Sequence, residues 1–534
     1  MNPKNIRKTA PGTGAGAGEI PASWWREAVF YQIYMPSFQD SNGDGCSDFA
    51  GMTSRLDYLQ DLGIKGIWLT PFLQSPKVDN GYDVADYYQI DPTYGRLESL
   101  QDFLHAAHAR GIRVIMDMVL NHTSTECAWF QESRRSRDNP YREYYVWRDR
   151  PNNWGSCFGG SAWEFDPRTD QYYLHKFAVR MADLNWVHPA VAAEAQKVLR
   201  FWLELGIDGF RFDVINFLHT DAIFTDNPFR DGQEQRLYNV DQPGVKRAIA
   251  MLKATVGEYP DRFTVGEIGN DQIEVLRRYQ SPQLLDVVFN FNFGSLPDFS
   301  VGRLFAELQS MEKHMSDLPT LFFGSHDNPR LMDRLAGGDH QRARALAALM
   351  LTAKGVPFIY YGEEIGMSNI IAATVDEIAD VQARTMYQLA LAEGRTPEQA
   401  LACARANNRD RSRSPMQWDN GPHAGFTTGQ PWIKLHEAYP EVNVRRCLER
   451  KDSILNTYKA LLRLRNTEIT LRYGRYERLE RHRDLILFTR LFQDDRITVM
   501  INFGEPTRAA LPGGAQVLLG DPGLDTNSFL IYRH

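Results

Sequence analysis

Short runs of apolar residues, each closed by a polar or charged side chain and followed by a segment with apolar positions at helical spacing, recur from residue 29 to about residue 365. The runs are VFYQIYM from Val29, GIWLT from Gly66, IRVIMDMVL from Ile112, GFRFDVINF from Gly209, FTVGEI from Phe263, DVVFNFNF from Asp286, TLFFGSHD from Thr320 and VPFIYYGEE from Val356. They lack the alternate polar face of a strand that is wet on one side, so they read as strands covered on both faces, the signature of a parallel sheet. Segments between them, such as LESLQDFLHAAHARG and AVAAEAQKVLRFWLELG, carry apolar residues at helical intervals and stop at Gly, which accepts the left-handed backbone of a helix C-cap. Eight β-then-α repeats predict an α/β fold, a (β/α)8 TIM barrel.

Two stretches break the alternation. Residues 122–186, rich in Asn, Gly, Trp, Tyr and Arg, are too long for a plain βα loop and predict an inserted subdomain after the third strand. The stretch from about 366 to 443 is also long and holds a helical segment of its own, from Ile378. After the helix SILNTYKALLRLRN, the runs LILFTRLF, RITVMINF and AQVLLG alternate between turn residues and predict an antiparallel β-domain. The expected organisation is a disordered Gly/Ala/Thr-rich leader over 1–23, a barrel over 24–121 and 187–465, the insertion over 122–186, and a C-terminal β-domain over 466–534.

Composition narrows the class. With 43% apolar and 24% charged residues and a formal charge of -7 over 534 residues, the chain has the make-up of a soluble enzyme and no basic face for nucleic acid. Its basic clusters (Arg134, Arg135 and Arg137; Arg405, Arg409, Arg411 and Arg413) are interrupted and read as solvated faces, with Arg413 set apart below. Five cysteines at irregular spacing, with no CxxC pair, give neither a disulfide framework nor a thiolate metal site. The leader has no signal core and no run of about 18 apolar residues follows, so no membrane segment and a cytoplasmic location are expected. The pattern sets no oligomeric state.

In a parallel barrel the functional side chains stand at the C-terminal ends of the strands. There the runs place Asp117 and His122, Arg211 and Asp213, Glu267, and His326 and Asp327. A single Asp at a βα junction is most often a helix cap. Three carboxylates beside Arg and His, converging on one mouth, cannot all ionise cheaply and form acid/base hardware of the kind that cleaves glycosidic bonds.

The segments DMVLNH, GFRFDVINF, VGEI and SHDNPR resemble, in order and spacing, the four motifs of the α-amylase superfamily, glycoside hydrolase family 13. The resemblance runs from about Trp24 to the end of the chain. It implies that Asp213 is the nucleophile, Glu267 the acid/base, and Asp327 the carboxylate that grips the sugar. Arg211 would orient Asp213, and His122 and His326 would bond sugar hydroxyls. KVDNGYDVADYY resembles the family's segment after the second strand, which implies that Asp79 and Tyr82 line the same subsite. RSRSPMQW is similar to the family's Arg-Thr-Pro-Met-Gln-Trp and implies that Arg413 joins Asp79 in sealing the non-reducing end. Phe158 in SCFGGSAWEFD would supply an apolar wall. A sealed pocket implies exo action on a disaccharide or oligosaccharide.

DSNGDGCSD resembles a cation loop, with Asp40, Asn42, Asp44, the Cys46 carbonyl and Asp48 as ligands of a structural calcium, or magnesium, ion. A metal-free Asx-turn fits the same pattern, and no organic cofactor is expected. Within the family the run most resembles the oligo-1,6-glucosidase, dextran glucosidase and α-glucosidase group, and Val214, next to the nucleophile, is the residue type that accompanies α-1,6 preference. Trehalose-6-phosphate hydrolases share much of the pattern, and an α-1,4-glucosidase or a transglucosylase would use the same intermediate. A non-catalytic scaffold protein would lack the carboxylates. Ser325, where many relatives carry Asn, and Cys46, in place of an aliphatic residue, depart from the family pattern.

Overall fold

The structure, a computed structural model, describes residues 23–315 and 317–534; the expected leader lies outside the described residues except for Ser23. Eight parallel strands make the barrel: β1 (Phe30–Ile33), β2 (Gly66–Leu69), β3 (Arg113–Met118), β4 (Gly209–Phe212), β5 (Phe263–Gly266), β6 (Val287–Val288), β7 (Thr320–Leu321) and β8 (Val356–Tyr360). They lie in the order β6-β5-β4-β3-β2-β1-β8-β7, the cyclic order of a (β/α)8 barrel. Both faces of each strand are covered. Phe30, Trp68, Ile115, Phe263, Val265, Phe289 and Phe358 fill the barrel interior, with the Phe30 ring 4.7 Å from that of Phe358. The alternate residues, such as Tyr31, Ile67, Val114 and Met116, pack into the main core. Gly66 makes room for this filling, because a Cβ there would stand 2.6 Å from the Phe30 ring.

Observed strands are shorter than the apolar runs that predict them. The run from Asp286 turns at Asn290, whose side chain accepts from the N–H of Asn292 and caps a one-turn helix at Phe291–Gly294. Register decides where polar ends emerge. Arg211 pairs with Asp117 on β3 and with Val265 on β5, and hydrogen bonding continues beyond the strands from Asp213 N to Met118 O (3.2 Å) and from Glu267 N to Phe212 O (2.9 Å). The ends of β3, β4 and β5 therefore present Asp117, Asp213 and Glu267 side by side.

Two excursions from the barrel cover this end. Between β3 and β4 lie a three-stranded antiparallel sheet, with Gln171–Leu174 between Trp147–Arg148 and Trp163–Asp166, and a ladder of His122–Ser124 against Met181–Asp183. Lys176, fully buried, pairs with Asp183 at 3.0 Å and donates to the Phe217 carbonyl, fastening the excursion to the segment after β4. After β8, where the sequence suggests one helix, there are two in a hairpin, Val381–Ala392 and Pro397–Asn407, each started by its own cap, Asp380 and Thr396. The C-terminal sheet comprises β9 (Arg475–His482), β10 (Leu485–Phe492), β11 (Asp495–Asn502), β12 (Gln516–Gly520) and β13 (Ser528–Arg533), in the order β9-β10-β11-β13-β12. It starts later than residue 466 because Ile469–Tyr473 adds a further helical turn. No helix among the described residues is long and apolar enough to cross a membrane.

Candidate active site

A cavity of about 370 Å³ opens at the C-terminal ends of the strands. Asp79, Tyr82, His122, Phe158, Asp213, Val214, Glu267, His326 and Asp327 all line it, so residues from six separate sequence segments meet in one place. Arg211 lies beneath them. One of its Nη atoms donates to Asp117 (2.6 Å) and Asp213 (2.7 Å), and the other to Glu267. Asp117 is fully used within the protein, since its second oxygen accepts from Tyr82 Oη (3.0 Å) and Trp68 Nε1 (3.2 Å). Burial raises the Asp117 carboxyl to about 6, against the pull of Arg211.

Burial also pushes Asp213 well above the usual carboxylate range; Arg211 opposes this, and the charges of Glu267 and Asp117 add to it. The like-charge part of that push disappears when one proton is shared among the carboxyl groups around Arg211, leaving the guanidinium to hold the others ionised. The arrangement thus sets carboxyl groups of unequal proton affinity around one guanidinium at the mouth of the cavity.

Asp327 lies across the cavity. Burial works against its charge, but His326, Arg409, Arg413 and Arg211 together hold it below the usual carboxylate range. Its Oδ2 is 3.1 Å from His326 Nε2, and its Oδ1 is 3.1 Å from Arg413 and 3.5 Å from Arg409. Burial lowers His326 to about 3, so the ring is neutral near pH 7. The tautomer follows from its partners: Gln32 Nε2 donates to Nδ1 (2.8 Å), which puts the proton on Nε2, facing Tyr82 Oη (2.7 Å) and Asp327. His122, lowered to about 4 by burial, takes Asn121 Nδ2 on its Nδ1 (3.1 Å), and its Nε2 has no partner among the described residues. That N–H is available to a ligand hydroxyl. The Ser325 hydroxyl accepts from the N–H of Asp327 (3.3 Å) and from Asn328 (3.0 Å), so serine holds the turn before Asp327.

One expectation requires correction. Asp79 is paired with Arg409, at 2.6 Å, and not with Arg413. Arg409 also bonds Asp380 at 2.6 Å and lies 5.0 Å from the Phe158 ring centre, whereas Arg413 is fully buried behind Asp327 and donates to the His326 carbonyl at 2.9 Å. The cluster that reads as a solvated face thus delivers a cavity cation. No sequence signal marked it, since Arg409 stands two residues before the stretch RSRSPMQW that resembles the family. Gln382, Ala406, Asn407 and Arg411, from the hairpin and the turn after it, also line the cavity and carry no motif that marks them.

Val214 has φ +34° and ψ +44°, a left-handed conformation that a β-branched residue adopts only under constraint. The constraint is visible on both sides: its N–H faces Glu267 (3.4 Å), and the next N–H, of Ile215, donates to the Glu267 carbonyl at 3.1 Å. Such strain, typically about 1–3 kcal/mol, collects at sites where geometry is fixed for function.

In the Asp40–Asp48 loop, Asp40 accepts from the N–H groups of Asn42, Gly43 and Gly45 and from Thr427, while Asp48 accepts from Ser41 and the N–H of Gly51. Asn42 and Asp44 accept from the N–H of Asp44 and Cys46. Among the described residues no group of three His, Cys, Asp or Glu is gathered to hold a metal. These are the hydrogen bonds of Asx-turns.

Known proteins share this design. The model of the α-amylase catalytic domain matches residues 32–474. An oligo-1,6-glucosidase of Heyndrickxia coagulans is 40% identical over 515 residues, covering 91% of this chain and 93% of the relative. A trehalose-6-phosphate hydrolase of Escherichia coli (strain K12) is 42% identical over 480 residues, covering 85% and 86%. The crystal structure of trehalulose synthase from Pseudomonas mesoacidophila MX-45 superposes with a TM-score of 0.88 at 34% identity, covering 96% of this chain and all of that one. With barrel, strand-end carboxylates and motif order in agreement, the chain belongs to the α-amylase family, glycoside hydrolase family 13, and is a glucosidase of that family.

Proposed function

We propose that the chain is a retaining, exo-acting α-glucosidase that releases glucose from the non-reducing end of short α-glucosides and prefers α-1,6 linkages. The observation that carries this reading is the convergence of Asp213 and Glu267 on Arg211 in a cavity whose other side is held by the Asp79–Arg409 pair. Glu267 gives its proton to the glycosidic oxygen as Asp213 bonds to the anomeric carbon and the C–O bond to the leaving group breaks. Glu267 then takes a proton from water, which displaces Asp213 from the same carbon with net retention. Asp327 and His122 receive ring hydroxyls and favour the distorted ring of the oxocarbenium-like transition state, while Phe158 and Tyr82 bound its apolar faces.

The α-1,6 preference rests on Val214, whose side chain borders the cavity beside Asp213. The relatives named oligo-1,6-glucosidase lend it support. Five unpaired cysteines suit a reducing compartment, in keeping with a cytoplasmic enzyme. The test is incubation with isomaltose, maltose, sucrose, trehalose and trehalose 6-phosphate and separation of the products by chromatography. Glucose released fastest from isomaltose supports the reading, and rearranged disaccharide without free glucose overturns it.

A further inference from the structure

Four arginines approach the cavity, and three are engaged by carboxylates. Arg211 meets Asp117, Asp213 and Glu267; Arg409 meets Asp79, Asp380 and Asp327; Arg413 meets Asp327 and Asp410. Arg411 differs. It lines the cavity, forms no ion pair among the described residues, and leaves its Nε without a partner. Its only side-chain hydrogen bond among the described residues is a 3.3 Å contact from Nη2 to the Ala406 carbonyl. Asp380, the acid whose charge it feels, is already held by Arg409 and by backbone N–H groups.

We propose that Arg411 anchors an anionic substituent, a phosphate or a carboxylate, on the leaving group of the α-glucoside. The inference rests on the exo-glucosidase reading, in which the glucose to be released fills the end closed by Asp79 and Arg409. A guanidinium has five N–H donors in a planar fork that matches two oxygens of a phosphate or carboxylate, and here, with Nε buried and one Nη2 donor on Ala406, the remaining Nη donors have no partner among the described residues. The neighbouring wall favours the same ligand. Gln382, Ala406 and Asn407, which line the cavity with it, are neutral, and Asp380, the acid nearest in charge, is already paired with Arg409. A neutral leaving group would leave a half-buried cation uncompensated beside it; an anionic one compensates it with charge-assisted bonds.

The test compares kcat/KM within two matched pairs, trehalose 6-phosphate against trehalose and α-glucosylglycerate against α-glucosylglycerol, for wild type, Arg411→Gln and Arg411→Lys. Calorimetry of glucose 6-phosphate and of glucose gives a readout that needs no turnover. Wild type is expected to favour the anionic member of at least one pair by about 10- to 100-fold. The pair that shows the preference identifies phosphate or carboxylate as the group recognised. Arg411→Gln should bring the ratio close to unity, Arg411→Lys should restore part of it, and high salt should weaken it. Ratios near unity in both pairs for wild type, or an Arg411→Gln variant that slows neutral and anionic substrates alike, overturn the proposal while isomaltose cleavage leaves the glucosidase reading standing. Conversely, absence of any α-glucoside cleavage together with Arg411-dependent binding of glucose 6-phosphate sinks the glucosidase reading and keeps the anion site. Equal affinity for glucose and glucose 6-phosphate, with no substrate preference, removes the anion site.

Discussion

Replacing Arg409 by Gln tests the closed end of the pocket directly. Among the described residues Arg409 is the only side chain bonded to the Asp79 carboxylate, and it also serves Asp380, whose side chain is fully buried. Burial already raises the Asp79 carboxyl, with Arg409 as the main opposing charge. Without the guanidinium, Asp79 either takes up a proton or remains an uncompensated buried anion, and in both cases it ceases to present a fixed, charged acceptor to the sugar. Breaking a buried pair from one side typically costs about 3–5 kcal/mol. If that loss falls on the transition-state complex, kcat/KM on isomaltose drops by about 10²- to 10³-fold or more. The decisive assay is a pair of double-mutant cycles in kcat/KM, Asp79→Asn with Arg409→Gln and Asp79→Asn with Arg413→Gln. Directly bonded partners should couple by about 1.5 kcal/mol or more. The Arg413 cycle should give a smaller coupling, because Arg413 bonds Asp327 and the His326 carbonyl instead. A larger coupling to Arg413 than to Arg409 refutes the assignment and restores the pairing expected from sequence.

Hydrolysis should proceed with retention, Asp213→Asn being nearly inactive yet folded; proton NMR that finds the β-anomer of glucose as first product rules this out. Val214→Thr and Val214→Ala should narrow the isomaltose-to-maltose ratio of kcat/KM, mainly by raising maltose turnover, within the about 10- to 200-fold range of a steric discrimination of this size; a ratio that does not move removes Val214 as the linkage determinant. A divalent ion held by the Asp40–Asp48 loop should add thermal stability that exhaustive chelation removes; an unchanged melting temperature with no metal by elemental analysis leaves the Asx network as the whole account. Glu363, raised from 4.5 to about 7 by burial, keeps its proton in the folded state after the unfolded chain has lost it, so stability should fall as pH rises from about 4.5 through 7. Glu363→Gln should flatten that slope in urea titrations at pH 5 and pH 8, and an unaltered slope would show that the dependence lies elsewhere.

What could be read from the sequence divides along a physical line. The eight strands and their chemical ends are legible because a run covered on both faces has to be apolar, so an acid or histidine at its end is out of place unless it works there. Asp117, Asp213, Glu267, His326 and Asp327 all carry that mark. The partner of Asp79 does not. Arg409 opens a 3₁₀ turn over Arg409–Ser412 and Arg413 caps it, and in such a turn residues three apart eclipse and residues four apart diverge. Only the turn's geometry sends Arg409 to Asp79, 330 positions away in the chain, and Arg413 to Asp327. The left-handed backbone of Val214 is equally invisible, since valine is among the last residues that local preference would place there. Ser325 shows the opposite case: a departure in sequence that the structure accommodates, because a hydroxyl accepts the Asp327 N–H.

The same line separates chemistry from specificity within the molecule. Asp213, Glu267 and Arg211 sit on or immediately after β4 and β5, whose register is fixed by ladder hydrogen bonds and by the packed barrel interior. Phe158 comes from the excursion between β3 and β4, and Gln382, Asn407, Arg409 and Arg411 come from the hairpin and turn after β8, segments that can change without disturbing the barrel. A shared catalytic floor under variable walls accounts for relatives that carry the names oligo-1,6-glucosidase, trehalose-6-phosphate hydrolase and trehalulose synthase at 34–42% identity to one chain. On this division, exchanging residues 381–411 with those of a relative should move substrate preference while leaving the anomeric outcome unchanged, because the proposed mechanism assigns retention to Asp213 and Glu267 alone. A chimera that folds and cleaves with inversion would contradict that independence.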